Sequence, residues 1–210
     1  VIAVTMTIAL AYPLSKPDLP GKSIILKIMM ITMLFSGGLI PTYLISKTVG
    51  LTNNRWGFLF LSGALSVYNV FVARTFFKSS IDQSLYDSAE IDGAGTMKCL
   101  VSVVLPLSKS MIAVLLLWNI VGYWNNYQGA LVYLSDRNLQ PLRMIIREIM
   151  EMNSVDPNMI QDHRDFEELR NLQITLKYAT IVVSSIPLMI IYPFVQKHFV
   201  KGVMLGSVKG

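Results

Sequence analysis

Charge is scarce along this chain. Only 15% of its 210 residues are Asp, Glu, Lys or Arg, where water-soluble domains carry about 25%. With 53% apolar residues and a mean hydropathy of +0.51, the deficit points to lipid rather than water as the surrounding solvent. Cysteine is scarcer still. Cys99 stands alone, so no intrachain disulfide framework exists, and a small apolar filler is expected there. The histidines, His163 and His198, are solitary, and the acids near His163 (Asp162, Asp165, Glu167) read as a solvated charge cluster rather than a metal site. There is no short internal repeat and no low-complexity tract. The first apolar run itself is not expected to be a signal peptide, since it lacks a basic n-region and further spans follow it. That run, 1–14, is too short to cross a bilayer and opens without Met, so it is expected to be the second half of a truncated span.

Long apolar stretches are what the chain does have. A crossing needs about 20 residues of helix for about 30 Å of hydrocarbon. Four stretches qualify: 23–46, 56–77, 108–127 and 176–196. Lys27 and Lys109 lie near their ends, where a long side chain reaches the interface. The expected fold is all-α, a polytopic membrane bundle of about five spans with the first partial. No ionisable group falls in the middle of the four complete stretches, which argues against an ion-coupled secondary transporter. No His or Asp accompanies the Ser and Thr residues at that depth, which argues against an intramembrane enzyme.

The net charge of +5 does not point to nucleic acid, because its distribution has a simpler explanation. Lys16, Lys22 and Lys27 flank the first connection, Arg74, Lys78 and Lys98 the third, and Lys197, Lys201 and Lys209 follow the last span. The positive-inside rule therefore places these regions in the cytoplasm. The long connection 128–175 then lies outside; from Asp136 to Lys177 the chain carries eight acids against six bases. Within it "MIIREIMEM" has helical apolar spacing, "SVDPN" is a turn, and "DHRDFEELRNLQITLKYATI" is a charged helix entering the last span. Pro17, Pro20 and Gly21 mark a tight inner turn. "SGGLIPTYL" (Ser36–Leu44) sets glycines and Pro41 inside a span, where close helix packing or a bend are the two readings. Pro187 and Pro193 admit the same pair.

Between two greasy stretches lies "YDSAEIDGAGTMKCLVSVVLPL" (Tyr86–Leu107), acidic and punctuated by glycine. Ser80-Ile81-Asp82-Gln83 fits a capping box. Ile81, Leu85 and Ala89 recur every fourth residue, with Asp82, Tyr86, Asp87 and Glu90 on other faces. Gly93 stands where a helix end needs positive φ. Thr96 is expected to cap a second helix with an apolar stripe of Met97, Leu100, Val101 and Val104, ended by Leu105-Pro106. The prediction is a cytoplasmic helix–turn–helix over 80–106, apolar beneath and acidic above. "GAGTMK" is not a phosphate loop: no strand precedes it, Lys98 is followed by Cys99 rather than Ser or Thr, and the acids repel nucleotide.

These residues resemble the cytoplasmic EAA loop of ABC importer permeases, whose pattern is Glu-Ala-Ala, three residues, Gly, nine residues, then Ile-x-Leu-Pro. Asp87-Ser88-Ala89, Gly93 and Val103-Val104-Leu105-Pro106 stand at the matching places, and Asp92-Gly93-Ala94 matches the "DGA" core. Two departures are Asp87 for Glu and Ser88 for Ala. The tracts "GGLIPTYLISKTVGLTNNRWGFLFLSGALSVYNVFVARTFFKS", "LPLSKSMIAVLLLWNIVGYWNNYQGALVYLSDRNLQPLRMIIREI" and "KGVMLGSVKG" look like carbohydrate-uptake permeases of the MalG/LplC type.

The resemblance implies a permease subunit in a bacterial cell membrane, not itself an enzyme and binding no cofactor. It implies ABC ATPase subunits that hold ATP and magnesium, a second permease subunit, an extracellular or periplasmic solute-binding protein facing the outer loop, and an oligosaccharide substrate. It assigns ATPase coupling to Asp87, Ser88, Ala89, Asp92, Gly93, Ala94, Gly95, Leu105 and Pro106, with Gly93 and Gly95 making the turn. The runner-up is a permease for another small solute, polyamine-like. In 108–127, Trp118, Asn119, Gly122, Tyr123 and Asn126 share one side by spacing. An amide at Asn119's depth must bond another helix or line a wet path. Asn119, Tyr123, Trp124 and Asn126 are the substrate-path candidates, with an interfacial aromatic belt as the competing role for Trp124 and Tyr127.

Overall fold

A computed structural model of the chain describes residues 1–63, 65–152 and 163–206. Among these, every regular element is a helix. They run α1 (Ile2–Ser15), α2 (Lys22–Leu34), α3 (Leu39–Thr48), α4 (Arg55–Leu61), α5 (Val67–Ser79) and α6 (Gln83–Ile91). Then follow α7 (Thr96–Leu107), α8 (Lys109–Asn125), α9 (Tyr127–Tyr133), α10 (Leu142–Met152) and α11 (His163–Gly206). The turn expected at Ser154–Asn158 lies outside the described residues.

By length and hydropathy α11 contains one crossing segment, Ile174–Pro193. Two bent pairs qualify if each is counted as one span: α2 with α3 at 112°, and α7 with α8 at 81°. The expected stretch 23–46 is thus broken rather than straight. The break falls at Phe35–Gly38, and its cause is legible in Pro41, which has no N–H to give a helix interior. By restarting at Leu39, the chain puts Pro41 in the first turn of α3, where no intrahelical acceptor awaits that N–H. Thr42 donates its hydroxyl back to the Gly38 carbonyl at 2.7 Å and steadies the restart. The stretch 56–77 is likewise interrupted, after Leu61, and α5 begins afresh under a Ser66 cap whose hydroxyl accepts from the Asn69 N–H.

The core is a seam of α1 against α5, with α8 closing one side. Ala11 and Ala73 are both fully buried, and residues without bulk let helix backbones approach closely. Larger groups fill the cytoplasmic end predicted for this seam: Phe77 is 1% exposed and meets the Tyr12 ring edge-on at 6.3 Å. A second seam joins α8 to α11. By contrast α2 buries no side chain, and Ile24, Ile28, Val182 and Met189 are all more than half exposed. Such apolar surface suits lipid or a neighbouring membrane subunit, not water.

Candidate functional site

The predicted helix–turn–helix is present, with its details revised. α6 starts not at a Ser80 capping box but at Asp82, whose carboxylate accepts from the Ser84 N–H at 2.9 Å. Its buried side is Tyr86 and Ala89 (one helical turn apart), while Leu85 is exposed. Ile81 is buried but precedes the helix, so the four-residue spacing counted from it does not carry into α6. α6 ends at Gly93 with φ +70. The Gly93 N–H donates to the Glu90 carbonyl at 3.0 Å and the Ala94 N–H to the Ala89 carbonyl at 2.9 Å, a Schellman closure. Gly95 has φ −63, which any residue adopts. The turn therefore depends on Gly93 and not on Gly95. Gly95 also stands as the N-cap of α7 in place of the expected Thr96, which is already helical.

The second helix is also shifted in phase. Leu100–Val104 forms a π-type turn, so residues five apart share a face. Cys99 and Val104 are buried, while Met97 and Val101 of the expected stripe are more than half exposed. Cys99 is the filler that its isolation suggests. Leu105 and Pro106 do not end the helix. It continues to Leu107 and breaks at Ser108, where the chain turns into α8.

Asp87, Ser88, Asp92 and Gly93 lie exposed together, with Ala94 half-buried behind them. Asp87 accepts from the Gln83 side-chain amide at 3.0 Å, which sets its carboxylate along α6. The Ser88 hydroxyl donates to the Ser84 carbonyl at 2.8 Å. It is thus satisfied within its own helix, and the replacement of Ala by Ser there leaves no free donor. Sequence reasoning missed Ile91, which is 86% exposed at the tip of α6. The signal was available: a large aliphatic flanked by Glu90 and Asp92 has no apolar face to join.

It also missed what holds the loop down. The Tyr12 hydroxyl donates to the Thr96 carbonyl at 3.3 Å, and the Lys16 ammonium lies 3.4 Å from the centre of the Tyr86 ring. Burial, with nearby Cys99 as a smaller cause, raises the Tyr86 phenol above its ordinary value, so it stays neutral at physiological pH.

At the other end of α8, Asn119, Tyr123 and Trp124 line one cavity of about 520 Å³ with Trp56, Phe60 and Arg143. Asn126 is not among its walls. It caps α9 instead, accepting from the Gly129 N–H at 2.9 Å. Trp118 lies on another side, its ring 5.8 Å from that of Tyr68. Two of the polar tips tie helices together and a third bonds within its own helix. Tyr123 donates to the Leu59 carbonyl at 3.0 Å, Trp124 to the Ser184 carbonyl at 3.1 Å, and Asn119 to the Leu115 carbonyl of its own helix at 2.8 Å. Aromatic residues, Asn119 and Arg143 thus share one wall set. α4 is seated beside it by Gly57, where a Cβ would overlap the Leu51 carbonyl.

Residues 3–205 match the family of binding-protein-dependent transport system inner membrane components. The chain belongs to that family. This permease is 38% identical to the polygalacturonan/rhamnogalacturonan transport system permease protein YtcP of Bacillus subtilis, over 100% of its own length and 72% of the relative's. It is 37% identical to protein LplC of the same organism, over 97% and 68%. Among solved structures it resembles a bacterial ABC transporter involved in the import of the acidic polysaccharide alginate, at 30% identity and a TM-score of 0.79, covering 94% of the permease and 69% of that chain. The permease is accordingly an ABC importer subunit with an all-α fold, and its family is one of transport permease subunits. Members of its family are inner-membrane components that work with ATPase and substrate-binding partners.

Proposed function

We propose that this permease is one of two membrane subunits of an importer for oligosaccharides, and that α6 with its Gly93 turn is the handle moved by the ATPase subunits. The observation that carries the reading is the surface of α6. Asp87 and Asp92 stand exposed beside Ile91, on a helix closed by a positive-φ glycine and held on its reverse side by Tyr86 and Ala89. Exposed apolar bulk ringed by acids is what a groove with an apolar floor and basic rim receives. ATP and magnesium belong on the ATPase subunits, and the permease itself takes no cofactor. On the opposite side, the rings of Trp56, Tyr123 and Trp124 give flat apolar surface for sugar faces, with Asn119 and Arg143 as polar wall residues. The outer connection 128–175 faces the solute-binding protein. The structural neighbour is named for import of the acidic polysaccharide alginate, and Arg143 suits a carboxylated sugar.

The test is uptake by the complete importer in proteoliposomes, offered a panel of neutral and uronic oligosaccharides, with native Gly93 and with Gly93→Val. ATP-dependent uptake of at least one sugar, lost on substitution while the complex still inserts, is the expected outcome. Uptake that is equally fast with Gly93→Val counts against the handle.

A further inference from the structure

We propose that the cytoplasmic end of α1 is the receiver of the handle's motion, with Lys16 and Tyr86 as the positioning pair that joins them. The proposal rests on the handle reading above and adds the next link inward. Four separate elements converge on the last turn of α1. The Leu14 carbonyl accepts from Arg74 Nε of α5 at 3.0 Å, and the Lys16 carbonyl accepts from Lys22 Nζ of α2 at 2.6 Å. The Tyr12 hydroxyl reaches the Thr96 carbonyl of α7, and the Lys16 ammonium lies against the ring of Tyr86 on α6.

The chemistry explains the grouping. A helix C-terminus exposes unpaired carbonyls and carries partial negative charge, so cations gather there. Two of the cations that the positive-inside pattern places at this membrane face thereby satisfy α1 itself. Lys16 is different: its ammonium points to a ring, not to a carbonyl. The Tyr86 hydroxyl is buried with no hydrogen-bond partner, so this side chain acts here through its ring face alone. Between α6 and α1 the contact is thus a cation on a π face, backed by Ala89 and Cys99 in the same buried cluster. Helices joined by packing with discrete positions move together rather than deform. A displacement of α6 is passed to α1, and from α1 to α5 along the Ala11–Ala73 seam.

Hydrogen exchange of the complete importer tests this, with its ATPase subunits either nucleotide-free or holding ATP through a substituted catalytic base. In the wild type, amides of residues 12–16 should change their exchange rate between the two states by about fivefold, on the scale of one cation–π contact. Lys16→Met and Tyr86→Leu should each abolish that response, and the double variant should look like either single one. Tyr86→Phe, which keeps the ring and removes only the unpartnered hydroxyl, should respond as the wild type does. An unchanged response in Lys16→Met, a Tyr86→Phe variant as damaged as Tyr86→Leu, or no response in the wild type would overturn the pairing. Protection of residues 83–94 by added ATPase subunits reports the handle separately: if it is present without a response at 12–16, the receiver is wrong and the handle stands. If it is absent, the handle itself is wrong.

Discussion

The two ends of α8 are built by opposite rules. At its start, the handle is clamped: Tyr86, Ala89, Cys99 and Val104 are buried, and ties to α1 hold the loop from beneath. At its far end lies an open cavity of about 520 Å³, two of whose wall residues, Tyr123 and Trp124, each make a hydrogen bond to another helix. On the function proposed above, the difference separates transmission from passage. A part that relays displacement must be stiff on its inward side and presentable on its outward side, and α6 is both. A part that lets solute by must be able to separate: α4 is tied to α8 here by the Tyr123 hydrogen bond, worth about 1 kcal/mol, while α11 packs along α8 in a seam of its own.

Gly93→Val should break the stiff end most severely. A β-branched residue at φ +70 is strained by about 1–3 kcal/mol, and the Schellman closure cannot form around it without distortion. Uptake should fall by about tenfold or more, with membrane insertion unchanged by fractionation. At the open end, Gly57→Ala forces a Cβ into the Leu51 carbonyl and should push α4 away, destabilising the detergent-solubilised complex by about 1–3 kcal/mol in thermal unfolding. Trp124→Phe keeps the ring surface but frees the Ser184 carbonyl, and should cost about 1 kcal/mol by the same assay while sharpening the distinction between wall and tie. Ser88→Ala and Gly95→Ala should each change stability and uptake by less than about 0.5 kcal/mol equivalent. The Ser88 hydroxyl bonds only its own helix, and Gly95 meets open space at an ordinary φ.

How much of this could be read from the chain alone follows the same division. Gly93 was legible because positive φ at a helix end is a local demand. The acids of α6 were legible because four charged groups in a greasy chain must face water. The phase of each helix was not, since a π-type turn at Leu100–Val104 and an extended Asp82 shift the count by amounts that periodicity does not record. Gly93 and Gly95 look alike as letters and differ only in backbone angle. Tyr86 looked polar among acids, yet it is buried in the core cluster, with Lys16 of the distant α1 end over its ring. Helical spacing found Asn119 and Tyr123 but not Trp56, Phe60 or Arg143, and it also swept in Asn126 and Trp118. One belongs to the start of a new helix and the other to a different face. At Phe35–Gly38 the two glycines and Pro41 allowed either close packing or a bend; that the chain bends there, by 112°, was not legible.

The most direct measurement is sidedness at α6. With Cys99→Ser as background, a single cysteine at Ser88 would be probed by a membrane-impermeant maleimide in intact cells and in inside-out vesicles, with and without the ATPase subunits. Labelling confined to inside-out vesicles, and suppressed when the ATPase subunits are bound, is the expected result. Labelling from the outside of intact cells, or labelling that the bound ATPase subunits leave untouched, would contradict the placement of this helix as the grip of the motor.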